Sequence, residues 1–330
     1  MILPLRGRLY PEIYSDENLT EAWHRVRTRG SNTAGVDGIT LAQYQRHLFR
    51  ELRTLQDELR RGRYRPLPAK QVLLSKGNGD VRPIGILSVR DRVAQWAVLL
   101  VVTPVLEADF EPCSYGYRPG RSREMALQHL CDLVNEGLEW AVHADIEKCF
   151  ESIDIKRLRR LVARRLKDRK LRRLIYDWLT LDCVEAKTSN GRHRPCQGLL
   201  QGSPLSPLMA NLYLDQFDKA AVRKGLITIR YADDFVILCR TERQAEKQFR
   251  TAKRLLKKLG LSVNPVKTFI GHVGEGLTFL GATLVLDTGG EGRWVAVDTS
   301  SLPSPSDAGE CQGVIHQPLG DREYGQLVRD

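Results

Sequence analysis

Two adjacent acids, Asp233 and Asp234, stand between two apolar runs, and no other stretch narrows the fold as far. Leu226-Ile227-Thr228-Ile229 precedes them and Phe235-Val236-Ile237-Leu238-Cys239 follows. Both runs are β-branched or aromatic and of strand length, so Arg230-Tyr231-Ala232-Asp233-Asp234 reads as the tip of a β-hairpin with core on both flanks. Crowding two carboxylates between core strands is costly unless a cation neutralises them. The alternative is an ordinary turn, because Asp is favoured in tight turns on its own account.

A chain of 330 residues allows one large or two medium domains, and 42% hydrophobic content supplies a core. The excess of 51 Lys and Arg over 40 Asp and Glu gives a net charge of +11. That points to a polyanionic partner such as nucleic acid, while charge alone leaves ribosome-like and membrane-surface binding open. Seven cysteines without a C-x-x-C pair, several inside apolar runs, argue against disulfides and zinc and for a reducing, cytoplasmic setting. The longest apolar run, Trp96 to Val102, is too short to span a bilayer, and the N-terminus lacks the apolar centre of a signal peptide, so no membrane partner is expected.

Residues 17 to 62 read as mostly helical, with Leu41, Tyr44, Leu48, Leu52, Leu55 and Leu59 forming one apolar face. Gln71–Leu74 and Val81–Ile84 flank Gly77-Asn78-Gly79-Asp80, the pattern of a β-hairpin carrying Lys76 and Arg82. A helix from Asp91 to Glu107, an ordered loop from Ser114 to Ser122 with Arg118 and Arg121, and a helix N-capped by Ser122 come next. A strand over 139–145 leads to two helices, 155–167 and 169–180. Residues 156 to 173 hold eleven Lys or Arg against Asp168 alone, which makes Arg160 and Arg164 candidates for phosphate contact or simply a solvated face. Helices over 206–218 and 242–259 and strands near 268–270 and 277–286 complete an irregular alternation that favours α+β. After Asp287 the composition turns polar and Gly/Ser/Pro-rich, reading as linker or tail.

A second acid cluster, His143-Ala144-Asp145-Ile146-Glu147-Lys148-Cys149-Phe150, ends its predicted strand on Asp145. Carboxylates at the ends of neighbouring strands can hold a pair of Mg²⁺ ions about 3.5–4 Å apart, one activating an attacking hydroxyl and the other screening a pyrophosphate leaving group. Phosphoryl transfer needs that arrangement.

Together these motifs resemble the reverse transcriptases of bacterial retroelements, of the group II intron type. Asp145 to Phe150 resembles the first catalytic motif of the palm. Gln201 to Pro207, followed by Leu208-Met209-Ala210-Asn211, resembles the template-and-nucleotide motif, and Tyr231-Ala232-Asp233-Asp234 the signature hairpin. Lys76 through Arg82-Pro83-Ile84-Gly85-Ile86, Asp91-Arg92-Val93 with Gln95, and Ser114 to Ser122 are similar to the fingers motifs. Gly260-Leu261, Lys267-Thr268 and Phe279-Leu280-Gly281 are similar to the closing palm motifs. The resemblance runs from about residue 19 to 285, with the motifs in the family's order.

The resemblance implies an α+β right-hand polymerase with an antiparallel palm sheet. Its parts would be a helical extension over 1–62, fingers over 63–138, a palm over 139–286 interleaved with fingers near 151–197, a linker or tail over 287–330, and no recognisable thumb. It implies RNA-directed DNA synthesis on an RNA template, from a DNA or RNA primer, with dNTPs and two Mg²⁺ ions, or Mn²⁺ in their place. Asp145 and Asp233 would ligate the metals with the Ile146 carbonyl, and Asp234, turned the other way by strand alternation, would support them. Phe150 would exclude the ribose 2′-hydroxyl, Lys76 and Arg82 would grip the triphosphate, Gln201 and Gly202 would pack under the incoming pair, and Lys267 would protonate pyrophosphate. Simpler readings stand beside these: Phe150 as a core aromatic, Lys76 and Arg82 as exposed hairpin cations, Gln201-Gly202 as a turn, Lys267 as solvated.

Two departures bear on the branch. Ser203-Pro204 stands where intron enzymes carry a second Gly, and no thumb, maturase or nuclease pattern follows residue 286. Both resemble the CRISPR-associated branch, which works with or is fused to the spacer integrase. An intron-derived or antiphage-defence enzyme, and a non-catalytic nucleic-acid-binding subunit of an integrase assembly, are the alternatives.

Overall fold

The computed structural model describes residues 9–29, 31–75, 81–185, 193–287 and 292–299. Lys76 with the Gly77–Asp80 turn, the Ser189–Arg192 excursion and the chain after Thr299 lie outside these residues. In chain order the elements are α1 (Tyr10–Ile13), α2 (Asp16–Arg29), α3 (Leu41–Arg46), α4 (Leu48–Arg60), β1 (Ala69–Ser75), β2 (Val81–Ile86), α5 (Val89–Glu107) and α6 (Arg123–Asn135). There follow β3 (Trp140–Asp145), α7 (Cys149–Ser152), α8 (Ile155–Arg165), α9 (Arg169–Leu179), β4 (Asp182–Glu185), β5 (His193–Pro195) and α10 (Ser206–Arg223). Last come β6 (Ile227–Tyr231), β7 (Asp234–Cys239), α11 (Glu242–Lys258), β8 (Phe269–His272), β9 (Thr278–Phe279), β10 (Ala282–Asp287) and β11 (Arg293–Asp298). None of the described helices is long and apolar enough to cross a membrane.

The chain divides into two compact units, one of residues up to Phe110 with Lys148–Asp215, the other of Glu111–Glu147 with the chain from Gln216. In the first unit α5 is the hub, with α1, α2 and α4 packed on it. Ser88 caps it by accepting from Asp91 N at 3.1 Å. The fully buried Asp91 accepts from Tyr64 Oη at 2.5 Å and Leu67 N at 3.0 Å, and burial pushes its pKa up. Arg92 donates to the carbonyls of Ser31 and Thr33. Gln95 accepts from Ser203 Oγ at 2.7 Å and Leu205 N at 3.2 Å. Three polar residues of one sequence motif thus each tie α5 to a different segment, which is how buried polar groups avoid an uncompensated desolvation cost.

The unit's sheet runs β2-β1-β4-β5. The β1–β2 hairpin forms antiparallel as expected. The pairing of β1 with β4 is parallel and non-local, and β4 and β5 are too short to announce themselves in sequence. Folding back of β5 on β4 brings Cys183 and Cys196 into a disulfide, with Cα atoms 5.6 Å apart. That corrects the expectation of no disulfides. The single helix expected over Leu41–Leu59 is two, because His47 leaves helical geometry at φ −119° and ψ 23°. Asp168, the lone acid of the basic run, is the N-cap of α9, accepting from Lys170 N and Leu171 N.

The second unit holds an antiparallel sheet β6-β7-β3-β8 and a smaller sheet β11-β10-β9. Its core gathers Ala126, Leu130 and Val134 of α6, Ala141, Ile229, Val236 and Leu238 of the larger sheet, and Phe279 and Leu284. Two boundaries expected from sequence are corrected. Residues 111–138 belong with the palm sheet rather than with β1 and β2, since α6 packs on β6 and β11. The stretch after Asp287 is not linker throughout: Arg293–Asp298 pairs with Ala282–Asp287 in full register, and its Trp294 and Ala296 pack on the core.

Candidate active site

The acidic hairpin forms as β6–β7, with Tyr231 opposite Asp234 and Ala232-Asp233 as its two-residue turn. Ala232 sits at φ 58°, a left-handed conformation that costs a non-glycine residue about 1 kcal/mol or more. Its neighbours hold it there. Arg230, about 1% exposed, donates from Nη1 to the Ala232 carbonyl at 2.7 Å, while Nε and Nη2 grip both oxygens of the equally buried Asp218. On the other side Gly116 lies so close that a Cβ would stand 2.4 Å from Ala232 N. Only glycine fits there.

The acids come from strand register. Asp145 ends β3 directly opposite Asp234 of β7, and Ile146 N donates to the Asp233 carbonyl at 3.0 Å, tying the end of β3 to the turn. Asn264 N donates to the Asp145 carbonyl at 2.8 Å. Asp145, Asp234, His143, Lys267, Phe269 and Thr278 all line one cavity of about 390 Å³. Within it Lys267 Nζ donates to Asp145 Oδ2 at 3.0 Å, and that hydrogen bond, with the charges of Asp145, Asp233 and Asp234, holds the Lys267 pKa above its usual value. His143 Nε2 and Asp234 Oδ1 are 2.6 Å apart. The sequence therefore brings Asp145, Ile146, Asp233, Asp234 and Lys267 together in one unit.

Could these residues hold a metal? Among the described residues no three His, Cys, Asp or Glu side chains form a ready-made cage. Mg²⁺ is rarely held by such a cage. It takes one or two carboxylates, with waters and substrate phosphates completing the shell. Asp145 and Asp234 at adjoining strand ends, with Asp233 in the turn beside them and Asp145 already drawing in an ammonium group, are a hard-oxygen donor set of that kind.

The first unit assembles the other predicted residues. Gly85 N donates to the Gln201 carbonyl at 2.8 Å, and Gly202, at φ 97°, approaches β2 so closely that a Cβ would lie 2.6 Å from the Gly85 oxygen. Arg82 Nε donates to Gln201 Oε1, and Gln201 Nε2 donates in turn to Glu151 Oε1 at 3.4 Å. Phe150 is half-buried, not a closed core residue, and its carbonyl accepts from Leu199 N at 2.7 Å. Arg82, Gln201, Gly202 and the backbone of Phe150 thus belong to one local framework.

The predicted cations divide. Arg160 and Arg164 are exposed on α8. Arg118, expected at a nucleic-acid surface, is buried and donates to the carbonyls of Glu111 and Ser114, which makes it a brace for its own loop. Arg121 lies over the Tyr115 ring at 5.0 Å and donates to the Pro112 carbonyl. Sequence alone does not single out His143, Gly116, Glu151 or the Asp218–Arg230 pair. The pair left one signal, an arginine inside an otherwise apolar strand run, where a charge must be matched to be buried.

Residues 74–284 match the family described as reverse transcriptase (RNA-dependent DNA polymerase). The chain is 32% identical to Protein YkfC of Escherichia coli (strain K12), over 88% of this chain and 86% of that protein. It is 33% identical to the group II intron-encoded protein LtrA of Lactococcus lactis subsp. cremoris, over 65% of this chain but only 34% of LtrA. Among solved structures, an apo telomerase from Candida Tropicalis truncated from its C-terminal domain matches with TM-score 0.53 at 14% identity, over 72% of this chain and 58% of that one, a likeness of fold. A partial Cas6-RT-Cas1–Cas2 complex matches with TM-score 0.46 at 28% identity, over 78% of this chain and 44% of that one. By the matched span, the chain belongs to the reverse transcriptase (RNA-dependent DNA polymerase) family.

Proposed function

We propose that this chain copies RNA into DNA by adding dNTPs to a primer 3′-hydroxyl, with Asp145 and Asp233 as the metal-holding carboxylates. The observation that supports the reading is the meeting of the strand end with the turn: Asp145 lies opposite Asp234, Ile146 N donates to the Asp233 carbonyl, and the charges of Asp145, Asp233 and Asp234 act together on Lys267. The family uses divalent metal ions. Two Mg²⁺ ions held by Asp145, Asp233 and the Ile146 carbonyl would supply the activation of the hydroxyl and the screening of pyrophosphate. Asp234, held by His143, keeps its place beside Asp145. Lys267 carries a proton next to Asp145 and is the donor for the departing pyrophosphate. In the other unit Arg82, with Lys76, binds triphosphate, Gln201-Gly202 supports the incoming pair, and Phe150 excludes the ribose 2′-hydroxyl. Arg160 and Arg164 contact the nucleic-acid backbone.

Purified protein with primed RNA, dNTPs and Mg²⁺ should make DNA, and Asp233→Asn, folded as judged by circular dichroism, should lose at least about 10³-fold of that rate. Undiminished synthesis by the variant would end the assignment.

We further propose a cytoplasmic role in CRISPR spacer acquisition from RNA, alongside integrase proteins. The Gln201-Gly202-Ser203-Pro204-Leu205-Ser206-Pro207 form supports it. The 33% identity to an intron-encoded protein favours an intron-derived enzyme as the second reading. Neighbouring genes separate the two: an adjacent integrase gene and repeat array support the first, and intron RNA flanks overturn it.

A further inference from the structure

We infer that the outer face of α11 binds the phosphate backbone of double-stranded RNA, as a surface separate from the cavity around Asp145. The inference rests on the reading of the chain as an RNA-copying enzyme for its choice of RNA over DNA.

Within Glu242–Lys258 there are seven Lys or Arg and two Glu. At 100° per residue the buried Ala245, Phe249, Ala252 and Leu256 form one face. Arg243, Lys247, Arg250, Arg254 and Lys257 recur at steps of four, three, four and three on the opposite face, all exposed. They make a straight line of cations about 21 Å long at 1.5 Å rise per residue. Glu246 is the acid beside the line, and it is engaged by Arg250 at 3.5 Å.

The helix packs on β3, β7 and β8. None of its buried residues belongs to the core that contains Ala141, Val236 and Leu238. Strand alternation puts His143 and Asp145 on the same side of β3 as Ala141, so α11 covers the reverse of the sheet and its cations point away from the acids. An ordinary solvated helix would balance its outer charges with i, i+4 acids. This one leaves most of them to a polyanion.

The chemistry of the line selects the form of nucleic acid. It holds no aromatic side chain on which an unpaired base could stack, which single-strand platforms need. Cations alone read backbone, and duplex RNA is recognised mainly through backbone and shape.

The test uses the full chain carrying Lys247→Gln, Arg254→Gln and Lys257→Gln together, with a fluorescein-labelled RNA hairpin of about 16 base pairs followed by anisotropy across a salt series. Hairpin affinity should fall about 10-fold or more, and the slope of log K against log salt should flatten by about 2 to 3. Thermal unfolding and extension on a short unpaired template should stay at the parent level. Unchanged hairpin affinity, an equal loss on an unpaired RNA or on the matching DNA duplex, or loss of short-template extension would each overturn the inference. Absence of any DNA synthesis by the parent protein would instead strike the proposed function and leave the binding result readable.

Discussion

Asp218 and Arg230 form a two-toothed ion pair about 1% exposed on both sides, and the remaining arm of the guanidinium supports the carbonyl of Ala232. Removing one partner strands a buried charge. Asp218→Ala should cost about 3–5 kcal/mol in urea unfolding. Replacing both, Asp218→Leu with Arg230→Met, should restore most of that stability, because a well-packed apolar pair can substitute for a buried ion pair. DNA synthesis should stay low in the double variant, since Ala232 has lost its donor. Full activity there would show that the brace serves stability only.

Phe150 is half-buried, with its carbonyl fixed by Leu199 N. Phe150→Ala should leave dNTP use within a few-fold and reduce the preference for dNTP over NTP, measured as a ratio of kcat/KM, by roughly 100-fold. An unchanged ratio would return Phe150 to a packing role.

The ammonium of Lys267 occupies Asp145 Oδ2. A metal must compete with it. Lys267→Met should lower the Mg²⁺ concentration for half-maximal rate several-fold while cutting kcat by about 10²-fold, the range for loss of a general acid. A kcat loss with no change in Mg²⁺ requirement would separate the proton role from the electrostatic one.

Gly202 and Gly260 both have positive φ, at 97° and 76°, but only Gly202 faces backbone, the Gly85 oxygen. Gly260→Ala should cost about 1 kcal/mol, the left-handed penalty alone. Gly202→Ala should cost about 2–4 kcal/mol, because a carbonyl cannot step aside as a side chain can. Equal losses in denaturant titrations would contradict the close approach.

Burial pushes the thiols of Cys113, Cys131 and Cys239 up to about 11 from 9.0. A raised folded pKa means that their contribution to stability is complete below pH 9 and is lost as pH rises through 11. Unfolding free energy should therefore fall over that window. At pH 8 the three should resist a thiolate-selective reagent in the native protein and react once it is unfolded.

How much of this was legible in the sequence follows from how local each signal is. The β6–β7 hairpin, the Ser122 cap and the amphipathic α11 rest on neighbours a few residues apart, so pattern suffices. The strands β4, β5 and β11 exist through partners outside their own sequence windows. For β11 the Trp294-Val295-Ala296-Val297 run was diluted by the polar composition around it. The disulfide needed the β4–β5 fold-back, and Arg118 reads as a free cation until the carbonyls around it are seen. Asp145 and Asp233 were visible as strand-end acids, whereas the contact of His143 with Asp234 depends on register across the sheet.

That register also has a consequence in time. His143 and Asp234 are 91 residues apart along the chain, and β3 finds β7 only after the intervening α7 to α10 and β6 have been synthesised. Contacts of such long sequence separation carry a large loop-closure cost and form late. On the ribosome β3 must wait as an unpaired strand, with its edges open to other chains. The carboxylates of the cavity therefore cannot meet before β7 has been made, and a chain that stops at β6 lacks the pairing of Asp145 with Asp234.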